Sequence, residues 1–312
     1  MPVIAVLIPC YNEAAAIPHV VAGFRQALPE APIFVYDNAS TDDTVRLARE
    51  AGAIVRSEPL LGKGNVVRRM FADIEADVYV LVDGDDTYDP AVAPLLIQRL
   101  LDGPLDMVNG ARVSDVQAAY RPGHRFGNRL LTGAVAMFFG NRVTDVLSGY
   151  RVFSRRFVKS FPALAAGFET ETEFTVHALQ LRMPIAEVPT RYKERPPGSA
   201  SKLNTFRDGL RILRTIFLLV KSEKPLAFFG SVAVALVAAS LAVGIPLVIE
   251  FYRTGLVPRF PSAILASALM VLAMLGVACG LILDTVSHGR AELKRLIYLS
   301  IPVRFSDGRP GR

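Results

Sequence analysis

Apolar and polar positions alternate between two periods along the first hundred residues. Short apolar runs at Val3–Ile8, Ile33–Tyr36, Ala53–Arg56 and Val78–Val82, rich in Val and Ile, have the length and composition of strands. Between them Ile17–Leu28, Thr41–Ala51 and Lys63–Glu75 space their apolar residues as helices do. Pro94–Leu101 and Met107–Gly110 add one more helix and strand. Such strand–helix alternation predicts a mostly parallel sheet with helices on both faces, an α/β fold.

After Gly110 the rhythm breaks. Arg121–Phe139 reads as an amphipathic, initially basic helix, Tyr150–Phe153 as a strand, Thr170–Arg182 as a helix and Ile185–Val188 as a strand. Thr205–Ser222 sets Arg207, Arg211, Arg214 and Lys221 against an apolar face of Phe206, Leu210, Leu213, Phe217 and Leu218, the pattern of a helix lying in a membrane interface. Leu226–Ile249 and Phe260–Leu283 are each 24 residues without a charged side chain. At a rise of 1.5 Å per residue each makes about 36 Å of helix, enough for a hydrocarbon core of about 30 Å.

The resulting plan is an α/β domain over 1–204, a juxtamembrane helix over 205–224, a transmembrane hairpin over 225–287 and a tail over 288–312. Cations flank the hairpin on both outer sides (Lys221 and Lys224 before it, Arg290, Lys294 and Arg295 after it), which predicts a multi-pass protein of the inner, cytoplasmic membrane with domain and tail in the cytoplasm. Met1 leads directly into the first strand, so no cleavable signal is expected. The net charge of +6 fits a lipid bilayer surface and phosphate ligands and does not call for nucleic acid. Two distant cysteines, Cys10 and Cys279, suggest no structural disulfide, and no His/Cys group has zinc spacing.

Candidate chemistry gathers where strands end. Asp83-Gly84-Asp85-Asp86 follows the most apolar strand, and in open α/β sheets ligands bind beyond the carboxyl ends of strands. Asp83 and Asp85 can reach one hard divalent cation, which two carboxylates and substrate phosphates commonly hold. Pro9-Cys10-Tyr11-Asn12-Glu13 and Asp37-Asn38-Ala39-Ser40-Thr41-Asp42 follow the first two strands. Gly62-Lys63-Gly64 opens a helix; it reads either as a donor-side phosphate contact or as a glycine turn, and it is not a Walker sequence.

In order and spacing these segments, with Asp145-Val146-Leu147-Ser148-Gly149-Tyr150-Arg151, resemble the inverting family-2 glycosyltransferases of the GT-A fold, whose catalytic domain is Rossmann-like. Together with the hairpin they are most similar to the polyprenyl-phosphate subgroup, which includes dolichyl-phosphate mannose synthases and bacterial undecaprenyl-phosphate sugar transferases. The resemblance implies Mg²⁺ or Mn²⁺ on Asp83 and Asp85, and a UDP- or GDP-linked nucleotide sugar contacted by Pro9, Tyr11, Glu13, Asp37, Lys63, Asp83 and Gly84. Asp85 and Asp145 are the catalytic candidates; Asp145 could act as base, metal ligand or acceptor positioner, with Glu171 and Glu173 as further candidates. Arg121, Arg125, Arg151, Arg195, Ser201 and Lys202 are candidates for the acceptor phosphate, though a basic patch before a span also suits anionic lipid.

The implied activity is transfer of a sugar to polyprenyl (undecaprenyl) phosphate, by an enzyme that could self-associate through its hairpin. The competing readings are an inactive nucleotide-sugar-binding membrane scaffold and a polysaccharide synthase of the same fold. The synthase reading expects a Gln-x-x-Arg-Trp segment, and the chain has no Trp.

Overall fold

The computed structural model describes residues 2–113, 132–133, 136–137, 143–167, 169–196, 214–215, 217–218 and 220–302. The predicted runs become β1 (Ile4–Cys10), α1 (Ile17–Ala27), β2 (Ile33–Asp37), α2 (Thr44–Glu50), β3 (Ile54–Ser57), α3 (Lys63–Asp73), β4 (Val78–Leu81), α4 (Ala93–Asp102) and β5 (Met107–Val113). Beyond them lie β6 (Arg151–Ser154), α5 (Arg155–Ser160), α6 (Thr170–Gln180) and β7 (Ile185–Arg191). The sequence pattern misses α5 because it is only six residues long, too short for helical periodicity; its start is set by the Ser154 hydroxyl, which accepts from Phe157 N–H at 3.1 Å.

The strands form one seven-stranded sheet in the order β3-β2-β1-β4-β6-β5-β7. β1 runs parallel to β2 and β4, and β2 parallel to β3. β6 is antiparallel to both β4 and β5, while β5 and β7 are parallel. The expectation of a mostly parallel sheet therefore holds, with one reversed strand. That reversal places the site: Leu81, at the end of β4, lies opposite Arg151, at the start of β6. The segment leading into β6 thus reaches the same sheet edge as the acidic segment leaving β4.

Side chains alternate across the sheet, so each strand feeds two cores. Val6, Ile8, Val35 and Val80 pack with Val20, Phe24 and Leu96 from α1 and α4. Ala5, Leu7, Tyr79 and Phe153 pack with Val67, Met70, Phe157 and Phe174 from α3, α5 and α6.

The chain divides into two units, Met1–Ile212 with Lys294–Arg312, and Leu213–Leu293. The first is completed by the far end of the chain. Tyr298 Oη donates to Asp106 Oδ2 at 2.7 Å, Arg156 Nε donates to the Ile301 carbonyl at 2.9 Å, and the Arg156 guanidinium lies 5.4 Å from the Tyr298 ring centroid. The second unit holds α7 (Pro225–Thr254) and, as far as Leu293, α8 (Phe260–Ser300); the two helices contain both predicted spans and have mean hydropathies of 2.6 and 2.4 over their most apolar windows. Small residues let these helices approach: a Cβ on Gly280 would lie 3.2 Å from Phe229 Cβ, and Ser240 Oγ donates to the Ala266 carbonyl at 2.7 Å. Most of the predicted amphipathic helices, 121–139 and 205–222, lie outside the described residues.

Candidate active site

Among the described residues, three of the non-glycine positions with positive φ follow strands of the parallel half: Asn12 (φ 53°) after β1, Ala39 (φ 62°) after β2 and Asp86 (φ 57°) after β4. Such conformations cost energy and persist where surrounding bonds enforce them. Here the first two loops are laced together. Asn12 N–H donates to Ser40 Oγ at 2.8 Å, Thr41 N–H to Asn12 Oδ1 at 2.7 Å, and Glu13 N–H to Thr44 Oγ1 at 2.8 Å. Asp37 is buried, and its carboxylate accepts from Ser40 N–H at 3.1 Å. Asn38, which the sequence reading passed over, binds the carbonyls of Glu58 and Leu60 through Nδ2 and the Gly62 amide through Oδ1, fastening the 58–62 loop to β2. Pro9 lies in β1 opposite Tyr36, and Tyr11 is exposed beyond the strand.

The acidic segment needs Gly84. A Cβ there would fall 2.5 Å from Cys10 Sγ and 3.3 Å from Ile8 Cγ2, so only glycine lets β4 leave past β1. Asp83 faces outward, its side chain 30% exposed, and one of its oxygens would be 2.2 Å from a Cβ placed on Gly149. Glycine at 149 thus leaves room for the Asp83 carboxylate. Asp85 is buried. Its Oδ1 accepts from Thr87 Oγ1 at 2.6 Å and Thr87 N–H at 3.2 Å, and its Oδ2 lies 2.7 Å from Arg195 Nη2.

Each carboxylate carries a cation that is shared with a glutamate. Lys63 Nζ binds Asp83 Oδ1 at 2.5 Å and also binds Glu171 Oε1. Arg195 reaches Glu13 Oε1 at 3.6 Å as well as Asp85. Burial, then the charge of Asp83, raise the Asp85 pKa against the pull of Arg195. Burial likewise raises Glu171, with Lys63 opposing. Burial works against the Lys63 ammonium, but Asp83 and Glu171 together outweigh it and raise its pKa.

The glycines beside Lys63 make close approaches to another backbone. Gly62 has φ 124°, a Cβ on Gly64 would fall 2.0 Å from the Ala165 carbonyl oxygen, and the Gly64 amide donates to the Ala166 carbonyl at 3.0 Å. The Gly64 amide, one that a phosphate loop would offer, is thereby used within the protein.

On the other side, Asp145 is clamped by Arg112: Nε to Oδ2 at 2.7 Å, Nη2 to Oδ1 at 2.8 Å, and the Arg112 backbone N–H to Oδ2 at 3.1 Å. Glu187 on β7 accepts from Thr144 N–H and Oγ1 and from Asn109 Nδ2, fixing the same loop. Neither Arg112 nor Glu187 was singled out from the sequence. β5 runs three residues past its predicted end, and a strand-end Arg two residues past Gly110 was the available signal.

Two sequence candidates, Arg151 and Glu173, are engaged by partners within the protein. Arg151 is completely buried, so it has no surface for an acceptor phosphate; Nε donates to the Ser148 carbonyl, Nη2 to the Val146 carbonyl and Nη1 to Thr175 Oγ1. Burial pulls its pKa down to about 10. Glu173 turns away from Glu171 along α6, and its carboxylate caps the amides of Leu164 and Ala165 at 2.9 Å, holding a loop. Arg121, Arg125, Ser201 and Lys202 lie outside the described residues.

Comparison with known proteins decides the family. The model of glycosyl transferase family 2 matches residues 5–161. The chain belongs to glycosyl transferase family 2. The glycosyltransferase AglJ of Haloferax volcanii is 34% identical over 302 residues, covering 94% of this chain and 97% of its own. A dolichyl-phosphate hexose transferase of the same organism is 27% identical over 221 residues, 71% of this chain and 95% of its own. A crystal structure of glucosyl-3-phosphoglycerate synthase from Mycobacterium tuberculosis, in complex with Mn²⁺, uridine-diphosphate-glucose and phosphoglyceric acid, matches with a TM-score of 0.59 at 25% identity, covering 70% of this chain and 79% of that chain. This chain is a glycosyltransferase with the GT-A fold, and the helical hairpin is its candidate membrane segment.

The donor set suits a divalent cation held partly by substrate. Among the described residues no three His, Cys, Asp or Glu side chains form a protein-only metal cage. Two hard carboxylates, one of them outward-facing, match the way Mg²⁺ is held between protein and phosphate oxygens.

Proposed function

We propose that this enzyme transfers a sugar from a UDP- or GDP-linked donor to polyprenyl phosphate, with inversion at the anomeric carbon. The observation that carries this reading is the shared sheet edge: the ends of β1, β2 and β4 and the segment entering β6 bring Glu13, Asp37, Asp83, Asp85 and Asp145 to one rim, in a chain that also carries a long apolar hairpin. Pro9, Tyr11, Glu13, Asp37 and Gly84 border the donor, with the buried Asp37 suited to ribose hydroxyls. Asp83 and Asp85 would hold Mg²⁺ or Mn²⁺, which when bound supplies positive charge to the diphosphate oxygens.

The acceptor phosphate oxygen forms the new bond to the anomeric carbon as the bond to the diphosphate breaks and the nucleoside diphosphate leaves. A phosphate monoester, with its second pKa of about 6, is already ionised and needs no base. Asp145 therefore positions the loop beside the acceptor and takes no proton, in keeping with its clamp on Arg112. Lys63 and Arg195, with Lys202, Ser201, Arg121 and Arg125, supply phosphate contacts. The hairpin anchors the enzyme in the cytoplasmic membrane, with the catalytic unit and residues 288–312 on the cytoplasmic side, and offers a surface for homo-oligomers.

The test is a panel of radiolabelled nucleotide sugars given to the full chain with undecaprenyl phosphate and Mg²⁺ or Mn²⁺. One donor should place label in the lipid phase. Donor hydrolysis without lipid label would exclude this acceptor, and binding without turnover of any donor would favour a scaffold.

A further inference from the structure

The two carboxylates read as metal ligands are each bound by a cation that has a second, glutamate anchor. Lys63 joins Asp83 to Glu171, and Arg195 joins Asp85 to Glu13. Both glutamates are buried, at 5% and 8% exposure. The contrast with Arg112 is sharp: that guanidinium grips Asp145 with Nε and Nη2, whereas Arg195 puts one nitrogen on each of two carboxylates and its Nη1 has no hydrogen bond. Four carboxylates against two cations leave this group two charges negative, the charge of one divalent cation. Three of the four gather around one thiol: Cys10, driven up by its burial, is pushed further by Glu13, Asp37, Asp83 and Asp85, and the fourth, Glu171, is tied to Asp83 through Lys63.

We infer that Lys63 and Arg195 are exchangeable internal counter-ions, which occupy Asp83 and Asp85 in the metal-free enzyme and transfer to phosphate oxygens when a divalent cation enters with the diphosphate. This rests on the metal reading above. Glu171 and Glu13 stay as the pivots about which the two long side chains swing, so neither cation is lost from the cleft. A metal ion alone must displace these cations and leave them with one partner each. A nucleoside diphosphate gives them new partners. Metal and diphosphate should then favour each other's binding through the protein, beyond their chelation in solution.

The experiment measures free Mn²⁺ by electron paramagnetic resonance during titration of the full chain in neutral detergent, alone and with UDP or GDP. Arg195→Gln and Lys63→Met should bind Mn²⁺ alone at least tenfold more tightly than the wild type, with less further gain from nucleotide. Arg195→Lys should stay near the wild type. Lys193→Gln removes a cation paired with the neighbouring Asp86 at 3.3 Å and should change Mn²⁺ binding less than twofold. Arg195 is partly exposed, at 28%, so its replacement keeps the test available if Lys63→Met fails to fold. Unchanged or weaker Mn²⁺ binding by Arg195→Gln would overturn the inference, as would an equal gain in Lys193→Gln. Absence of Mn²⁺ binding by every variant with either nucleotide would remove the metal reading and this inference with it.

Discussion

The acidic segment after β4 and the loop before β6 both present an aspartate to the same rim, but they hold it differently. Asp145 is saturated by a bidentate guanidinium and by the Arg112 and Leu147 amides, a planar fork matched to a carboxylate. Asp83 and Asp85 are met by cations each of which also answers to a glutamate. One region is a strut; the other is a set of exchangeable charges. Residue type alone does not distinguish a positioning carboxylate from a ligand-binding one, whereas the number and sharing of its partners do.

Breaking the exchangeable region should cost the most. Asp85→Ala is expected to reduce transfer at least about a thousandfold, roughly 4 kcal/mol of transition-state stabilisation. The melting temperature should fall little, because burial and Asp83 already disfavour this carboxylate. Retention of full transfer, read as lipid-phase label, would remove Asp85 from the site.

Breaking the strut should act mainly on folding. Arg112→Ala leaves Asp145 buried without its clamp and should destabilise the protein by about 3 kcal/mol, with loss of transfer following loss of fold. The Arg112→Ala/Asp145→Ala double variant should be less destabilised than the sum of the singles, by thermal or denaturant melts. Additive losses would deny the coupling.

The helix that presents Glu171 also carries His177, and it gives the comparison a pH axis. Burial depresses the His177 pKa to about 3, and its Nε2 lies 3.2 Å from Ser160 Oγ. The unfolded chain takes up this proton near pH 6.5 and the folded one does not, so stability is full above pH 6.5 and falls as pH drops towards 3. At pH 5 the loss should be about 2 kcal/mol. His177→Gln should flatten this part of the stability–pH curve; an unchanged slope would place the titration elsewhere. The smallest effect belongs to the partly exposed Lys193–Asp86 pair, where Lys193→Ala should cost no more than about 0.5 kcal/mol in melts.

The sequence by itself determined the parallel half of the sheet, the acidic segment after β4 and the two apolar spans. Each depends on local pattern: a run of Val and Ile, an Asp-Gly turn at its end, 24 uncharged residues in a row. Tertiary structure alone decided the partners. Antiparallel β6 carries the Asp145 loop to the acidic rim, and its pairing joins residues about seventy positions apart. Arg151, which reads as a phosphate ligand at the end of the Asp145–Arg151 segment, is a buried tie, while Arg112 clamps Asp145 from 33 positions away. The catalytic unit also closes with residues from the far end of the chain, where Tyr298 meets Asp106 across 192 positions. Local patterns record burial and turning, which each segment satisfies on its own; charge pairing needs two distant segments at hydrogen-bond distance, and only the folded sheet sets that distance.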